Sequence, residues 1–279
     1  MIRALLVLTA ALYPVWEAAH VRLVRLGLEL PALPRELDGL TLLFLTDLHI
    51  SRIGRRERGL QRLLHRVPPV DLLLLGGDTA RDERGMRAAV QVLSPISARY
   101  GAFAVLGNAE HKHNAPTDRL IGILGEAGFC VLVNASRVLS VRSLHFAVAG
   151  VDDPYEQFDD PKAALSGVPP ETPTILIAHS PEVIAHLPCP GPDLILAGHT
   201  HGGQIRFPWM PAIYTHNVRG IDLDCGLFPP DVLNRYRTSA GLRSFMYLSR
   251  GVGASVMPAR LFCPPEAVLI TLHSRAPDP

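Results

Sequence analysis

Residues 40–51 read LTLLFLTDLHIS. From Leu40 to Thr46 there is no charge, and then Asp47 and His49 arrive together. A continuous apolar run of this kind is expected of a strand covered on both faces, as in parallel sheets packed between helices. In open α/β sheets, ligands bind beyond the carboxyl ends of the strands. Asp47 and His49 therefore stand where chemistry is expected.

Four further runs end the same way. Val70–Leu75 leads into Gly77-Asp78, Gly101–Leu106 into Gly107-Asn108, and Thr174–Ala178 into His179. Asp193–Ala197 leads into GHTHGGQ, which carries His199 and His201. Taken singly, Asp78 or Asn108 reads as a turn former or helix cap, and His179 as a hydrogen-bonded core residue. The pair Asp47/His49 alone is equally compatible with structure. His199 and His201 are more specific, because side chains at i and i+2 project the same way and glycines flank them. Together the five clusters make a mixed oxygen and nitrogen donor set at five strand ends. Without thiolates, that set suits Mn²⁺, Fe²⁺ or Zn²⁺ rather than a soft metal. Glycine beside nearly every donor lets the backbone turn sharply and approach closely.

Between the runs, Leu60, Leu63, Leu64 and Val67 fall at i, i+3, i+4, i+7 and predict an amphipathic helix. Met86–Leu93 predicts a second helix, and Thr117 is expected to cap a third that runs through Ala127. Val21–Leu30 alternates in part and reads as an exposed strand, ended by Pro31 and Pro34. Strands are also expected at His145–Ala149, Ser244–Leu248 and Ala267–Leu272. A β-α-β-α-β-α first half followed mostly by strands predicts an α/β layered fold, with two stacked mixed sheets flanked by helices. Gly203–Arg243, rich in Pro, Gly and Asp, reads as an elaborated loop within one domain spanning residues 21–279.

A chain of 279 residues can bury a full core. Its 27 basic and 26 acidic residues nearly cancel, which removes the electrostatic case for a nucleic-acid partner. Cys130, Cys189, Cys225 and Cys263 lie far apart without a CxxC, so buried thiols are expected rather than a zinc site or a disulfide framework. At the N-terminus (residues 1–20), Ala4–Trp16 is uncharged but shorter than the roughly 20 residues needed to span a bilayer. Arg3 followed by this run suits a signal peptide or a membrane-surface anchor, although WEAAH is a poor cleavage site. A first helix packed on the core is the third reading.

The order of the motifs resembles that of the calcineurin-like metallophosphoesterases: D-x-H, G-D, G-N-H-[DE], a lone H and G-H-x-H. Here these are Asp47-Leu48-His49, Gly77-Asp78, Gly107-Asn108, His179 and Gly198-His199-Thr200-His201. Ser249–Leu272 and GHTHGGQ are similar to the membrane-associated bacterial branch typified by the phosphodiesterase YkuE, and the resemblance spans Val21 to Leu272. It implies two divalent ions bridged by Asp78. Asp47, His49 and His201 would complete one site, and Asn108, His179 and His199 the other. Two ions roughly 3.5–4 Å apart can clamp a phosphoryl group and activate water for in-line attack. Asp78 would need its two anionic oxygens to bridge, and Asn108 would add a neutral oxygen that moderates the charge.

One position departs from the pattern. Where the family has G-N-H-[DE], this chain has Gly107-Asn108-Ala109-Glu110. Glu110 fills the acidic position and is expected to orient a ligand by hydrogen bonding. The missing His commonly protonates the departing oxygen, a contribution of about 10²–10⁴-fold. A phosphate leaving group, with its second pKa near 6, needs little such help. Ala109 therefore points to pyrophosphates or activated esters over alkyl phosphomonoesters. The UDP-diacylglucosamine pyrophosphatases of lipid A synthesis belong to this superfamily and also lack that His. UDP-2,3-diacylglucosamine, or another lipid-linked or nucleotide-containing phosphoester, thus becomes a candidate substrate. His111 and His113 are candidate replacement donors, with solvated loop histidines as the other reading. Arg52 and Arg260 read as surface residues, with phosphate contact as the alternative. The resemblance implies a bacterial phosphodiesterase or pyrophosphatase that is membrane-associated or at the cytoplasmic face, with export left open. Its rival is a catalytically weak metal- or phospholipid-binding protein that kept the site.

Overall fold

A computed structural model describes residues 12–112, 116–218, 220–238 and 240–275. His113 and most of the apolar N-terminal run lie outside these residues. The first sheet contains β1 (Arg22–Leu30), β2 (Leu40–Leu45), β3 (Leu72–Gly76), β4 (Ala102–Val105), β5 (Phe129–Val131) and β12 (Glu266–Ser274), in the order β1-β12-β2-β3-β4-β5. The second contains β6 (Ala135–Val141), β7 (Leu144–Gly150), β8 (Thr174–Ile177), β9 (Leu194–Ala197), β10 (Gly226–Phe228) and β11 (Phe245–Leu248), in the order β10-β11-β9-β8-β7-β6. Both are mixed. β2, β3, β4 and β5 run parallel with β12 antiparallel to β2, and β7, β8, β9 and β11 run parallel between antiparallel β6 and β10. This is the layered α/β architecture expected from the order of elements.

The apolar runs are continuous because each sheet is covered twice. Side chains alternate along β2, so Leu42 and Phe44 face the second sheet while Leu43 and Leu45 face the helices. The inner layer joins Leu72, Leu74 and Phe103 of the first sheet to Phe146, Ile175 and Leu196 of the second. Outside the first sheet lie α2 (Arg55–Leu64), α3 (Glu83–Leu93) and α5 (Thr117–Glu126), which contribute Leu60, Met86, Val92 and Ile123 to a second core layer. Outside the second sheet, α6 (Pro161–Ser166) and the loop 203–243 supply Ala164, Ile221, Leu223 and Leu242. The segment read as a loop also contains β10 and a short helix at Pro230–Leu233.

Two local expectations are corrected. Thr117 lies inside α5 and makes no capping bond; its hydroxyl donates instead to the Glu110 carbonyl at 3.4 Å. Of the four cysteines, all free, only Cys263 is fully buried and Cys189 is exposed. The strands β5 and β6 carry too short or too polar a pattern to stand out in the sequence. Residues 12–18 form α1, held against the segment 260–263, and among the described residues no helix is long and apolar enough to cross a membrane.

Candidate metal centre

The loops after β2, β3, β4, β8 and β9 converge at one end of the two sheets. They bring Asp47, His49, Asp78, Asn108, His179, His199 and His201 together in the form of two adjoining donor clusters. In the first, His49 Nε2 lies 3.2 Å from His201 Nε2 and 3.5 Å from Asp78 Oδ2. His201 Nε2 is 3.6 Å from Asp47 Oδ1. In the second, His179 Nε2 lies 3.2 Å from Asn108 Oδ1, 3.2 Å from His199 Nδ1 and 3.5 Å from Asp78 Oδ1. The two oxygens of Asp78 thus face different clusters.

These spacings fit metal ions. Donors about 2.0–2.2 Å from one ion, at angles of about 90–110°, stand about 2.8–3.6 Å apart. His49 and His199 turn Nε2 and Nδ1, respectively, into the clusters, where each meets another ring nitrogen at 3.2 Å. Groups of Asp47, His49 and His201, and of Asp47, Asp78 and His179, could each hold an ion. The Nδ1–H of His179 donates to the Gly76 carbonyl at 3.0 Å, which turns Nε2 toward the cluster.

The electrostatics agree. Burial holds the pKa of His49 down to about 4 and that of His199 to about 3, with the charge on His179 also lowering the latter. Burial, His49 and Arg260 keep His201 well below its ordinary value. These rings are neutral and ready to donate lone pairs. Burial alone would lower His179, but Asp78, Asp47 and Asp153 overcome it and raise its pKa to about 9. Burial itself lifts Asp47 to about 6. Without an ion, the carboxylates recruit a proton to the place where positive charge is wanted.

Backbone geometry serves the same convergence. Asp47, His49, Asp78, His199 and His201 all have positive φ, between 47° and 74°, a conformation rare for side-chain-bearing residues. Close approach requires glycine at two flanking positions. A Cβ on Gly107 would collide with Asp78 Oδ1, and one on Gly198 with Asp47 Oδ2.

Glu110, in the first turn of α4 (Asn108–Lys112), is buried and accepts four backbone N–H bonds. Its Oε2 takes those of Asp78 (3.0 Å) and Gly107 (2.9 Å), and its Oε1 those of Thr79 (2.7 Å) and Ala80 (3.2 Å). One carboxylate therefore ties the loop after β3 to the loop after β4. Burial, then Asp78, raises its pKa to about 7. Ala109 is buried and its N–H donates to Asp78 Oδ1 at 2.7 Å.

The cleft over the clusters has a volume of about 180 Å³, and Arg81, Lys112, Tyr155, His216 and Ser255 line it beside the donors. A larger cavity, about 600 Å³, lies at the opposite ends of the strands around Thr174, Asp193 and Phe245, away from any donor cluster. His111 is not among the cleft-lining residues. Its Nε2 meets Asp152 Oδ1 at 2.7 Å, and its ring packs edge-on against Phe158. The hydrogen bond to Asp152 raises the His111 pKa. Its stabilisation is fully present below the unfolded value near 6.5 and fades as pH rises through the raised folded value. His111→Gln is therefore expected to lower the melting temperature more at pH 6 than at pH 9, with turnover retained. A 10²-fold loss of turnover, the size of a lost general acid, would return His111 to the chemistry.

Sequence reasoning missed several neighbours. Asp153 and Tyr155 follow β7 in VDDPY, a sixth strand end of the kind already recognised. The Tyr155 ring lies 4.5 Å from that of His199. His216 comes from the long loop, where no local pattern marks it. Arg260, expected at the surface, is completely buried. It donates to the carbonyls of Arg250 (2.6 Å), Gly253 (2.9 Å from Nε) and Cys263 (3.2 Å), and its Nη2 lies 3.3 Å from His201 Nδ1. Arg52 is exposed, as expected.

The calcineurin-like phosphoesterase family model matches residues 40–203, which contain every donor above. Phosphodiesterase YaeI of Escherichia coli is 33% identical over 245 residues, covering 83% of this chain and 81% of that one. The metallophosphoesterase YkuE of Bacillus subtilis is 25% identical over 248 residues (87% and 82%). UDP-2,3-diacylglucosamine pyrophosphatase LpxG of Chlamydia muridarum is 24% identical over 307 residues (91% and 90%). With the motifs, the two-sheet fold and the clustered donors, these matches make the chain a member of the calcineurin-like phosphoesterase family, in a YkuE-like branch, and a metal-dependent phosphoester hydrolase.

Proposed function

We propose that this chain uses two divalent ions to hydrolyse a phosphodiester or pyrophosphate whose leaving group departs without a protonating imidazole. The observation that carries the two-ion reading is Asp78, whose oxygens face separate donor clusters 3.5 Å from His49 and 3.5 Å from His179. Asp47, His49, Asp78 and His201 would hold one ion, and Asp78, Asn108, His179 and His199 the other. Mn²⁺, Fe²⁺ and Zn²⁺ all suit such donors. When bound, the ions would supply charge neutralisation at the phosphoryl group and a more acidic water. The chain's own part is to fix the donors. Glu110 would hold the Asp78 loop, the Gly76 carbonyl would fix the tautomer of His179, and Arg260 would position His201.

For the substrate, Ala109 favours a good leaving group. The name of the chlamydial relative supplies a concrete candidate, UDP-2,3-diacylglucosamine, and other lipid-linked or nucleotide-containing phosphoesters share its chemistry. Residues 21–279 would form the catalytic domain, and residues 1–20 would anchor it at a membrane, at the cytoplasmic face or after export. A second reading, a catalytically weak metal- or phospholipid-binding protein, is favoured by Ala109 alone.

The two readings separate in one assay. The Mn²⁺-loaded wild type and the Ala109→His variant are compared on an aryl and an alkyl phosphodiester, with chelator-treated protein as the reference. Metal-dependent aryl turnover is expected, together with a gain from Ala109→His at least about tenfold greater on the alkyl substrate. Absence of metal-dependent turnover sinks the enzyme. An equal gain on both substrates sinks the leaving-group argument.

A further inference from the structure

The loop from Phe207 to Val218 contains no Asp, Glu, Lys or Arg. It nonetheless exposes Phe207, Met210, Ile213 and Tyr214, and its Trp209 is 100% exposed. A soluble surface rarely leaves a fully solvated Trp among four other large apolar side chains without a partner. Val256 and Met257 are also exposed, and their segment is stitched to the loop: Gln204 Nε2 donates to the Met257 carbonyl at 2.9 Å and Ser255 N–H to Gln204 Oε1 at 3.0 Å. Further along, Arg206 N–H donates to the Leu261 carbonyl at 2.9 Å, next to exposed Phe262. Phe262 in turn lies 6.3 Å from the ring of Tyr13 in α1, and Arg260 N–H donates to the Pro14 carbonyl at 2.9 Å. The helix adds exposed Leu12, Val15 and Trp16. Three segments far apart in the chain thus adjoin in one apolar surface.

Three observations identify what covers it. The sequence leading into α1 is itself uncharged from Ala4 onward, as an apolar partner phase would favour. The flanking α2 approaches the end of α1, where a Cβ on Gly59 would stand 3.7 Å from the Ala19 carbonyl. Residues 52–66, which include α2, hold six Arg and one Glu, and Glu57 pairs with Arg56 alone, so the flank keeps a strong positive excess. Aromatic and aliphatic side chains bordered by arginines match the interface of an anionic bilayer. Last, the surface runs into the cleft wall. Tyr214 packs edge-on against His216 at 4.9 Å, and the Ser255 hydroxyl lies 3.4 Å from His216 Nε2.

We infer that the surface formed by α1, the 207–214 loop, Val256, Met257 and Phe262 docks on an anionic lipid bilayer, opening the metal cleft toward lipid-borne phosphoesters. The second half of this statement rests on the function proposed above; the docking itself does not. A second copy of the chain is a poorer fit, because the basic flank would meet itself.

The full chain is tested by flotation with vesicles of phosphatidylglycerol and phosphatidylcholine, and with phosphatidylcholine alone. Binding is expected to the anionic vesicles, to weaken with salt, and to fall at least about tenfold in a Trp209→Glu, Met257→Glu variant that keeps hydrolysis of a water-soluble aryl diester. The chain has only two Trp, so a Trp16→Phe variant reports on Trp209 alone. Brominated lipids should quench its fluorescence. Flotation without quenching means attachment through the N-terminal segment alone and overturns the inference. So does unchanged flotation of the double variant, or a dimer in solution that this variant dissociates without any vesicle binding. Loss of flotation bears on docking only, whereas absence of aryl-diester turnover in the wild type bears on the proposed function only.

Discussion

Replacing Asp78 by asparagine is expected to lower Mn²⁺-supported turnover of an aryl phosphodiester by about 10³-fold or more, and to reduce bound metal from two ions per chain toward one. Loss of a group that merely orients a metal ligand costs about 10–100-fold, and Asp78 would be a ligand to both ions. Asparagine keeps the size and can still accept from Ala109 N–H, now 2.7 Å from Oδ1. It offers one oxygen where two are needed, and its amide nitrogen would face either His49 or His179. The carboxylate charge that raises His179 also disappears, so that ring should lose its proton more readily in the metal-free chain. Elemental analysis and kinetics of the purified variant check both outcomes. Two ions retained with turnover within tenfold of wild type would remove Asp78 from the bridging position.

Glu110→Ala is expected to be the most destabilising substitution near the site. It strands four buried backbone N–H groups, those of Asp78, Thr79, Ala80 and Gly107. Each unpaired buried donor costs about 1–3 kcal/mol, so the loss reaches about 4 kcal/mol or more. A typical domain has only about 5–15 kcal/mol to lose. Glu110→Gln keeps the shape but turns an amide NH₂ toward two of the four donors, and should fall between. Chemical denaturation at fixed metal concentration ranks the three proteins. A Glu110→Ala variant as stable as wild type would show that water replaces the carboxylate.

Much of this architecture is legible from residues 40–51 outward. Uncharged strands imply cover on both faces, and the polar residues after them imply a shared end. What the residues alone could not show is partnership across the chain. Glu110 is marked by its position in a motif, but its four donors come from two loops. Arg260 looks like any surface arginine, because its partners are carbonyls, which no sequence pattern distinguishes. His111 sits two residues from Ala109, yet α4 turns it toward Asp152 and away from the cleft. Asp153 and Tyr155 differ, because they follow the apolar run His145–Ala149 and so carry the same strand-end signature as the other donors. His216 reaches the cleft only because Ile221, Leu223 and Leu242 of the long loop pack against the second sheet.

The division of the donors between the two sheets bears on biosynthesis. Asp47, His49, Asp78 and Asn108 follow strands of the first sheet, while His179, His199 and His201 follow strands of the second. A growing chain that has emerged only as far as β7 would carry the oxygen-rich half of the centre without the imidazoles that complete it. High-affinity capture of metal would then wait for the last strands. Because β12 inserts between β1 and β2, the first sheet also closes only after the strands of the second sheet have been made. Metal capture at such a centre would therefore follow synthesis of β9, when His199 and His201 join the donors of the first sheet.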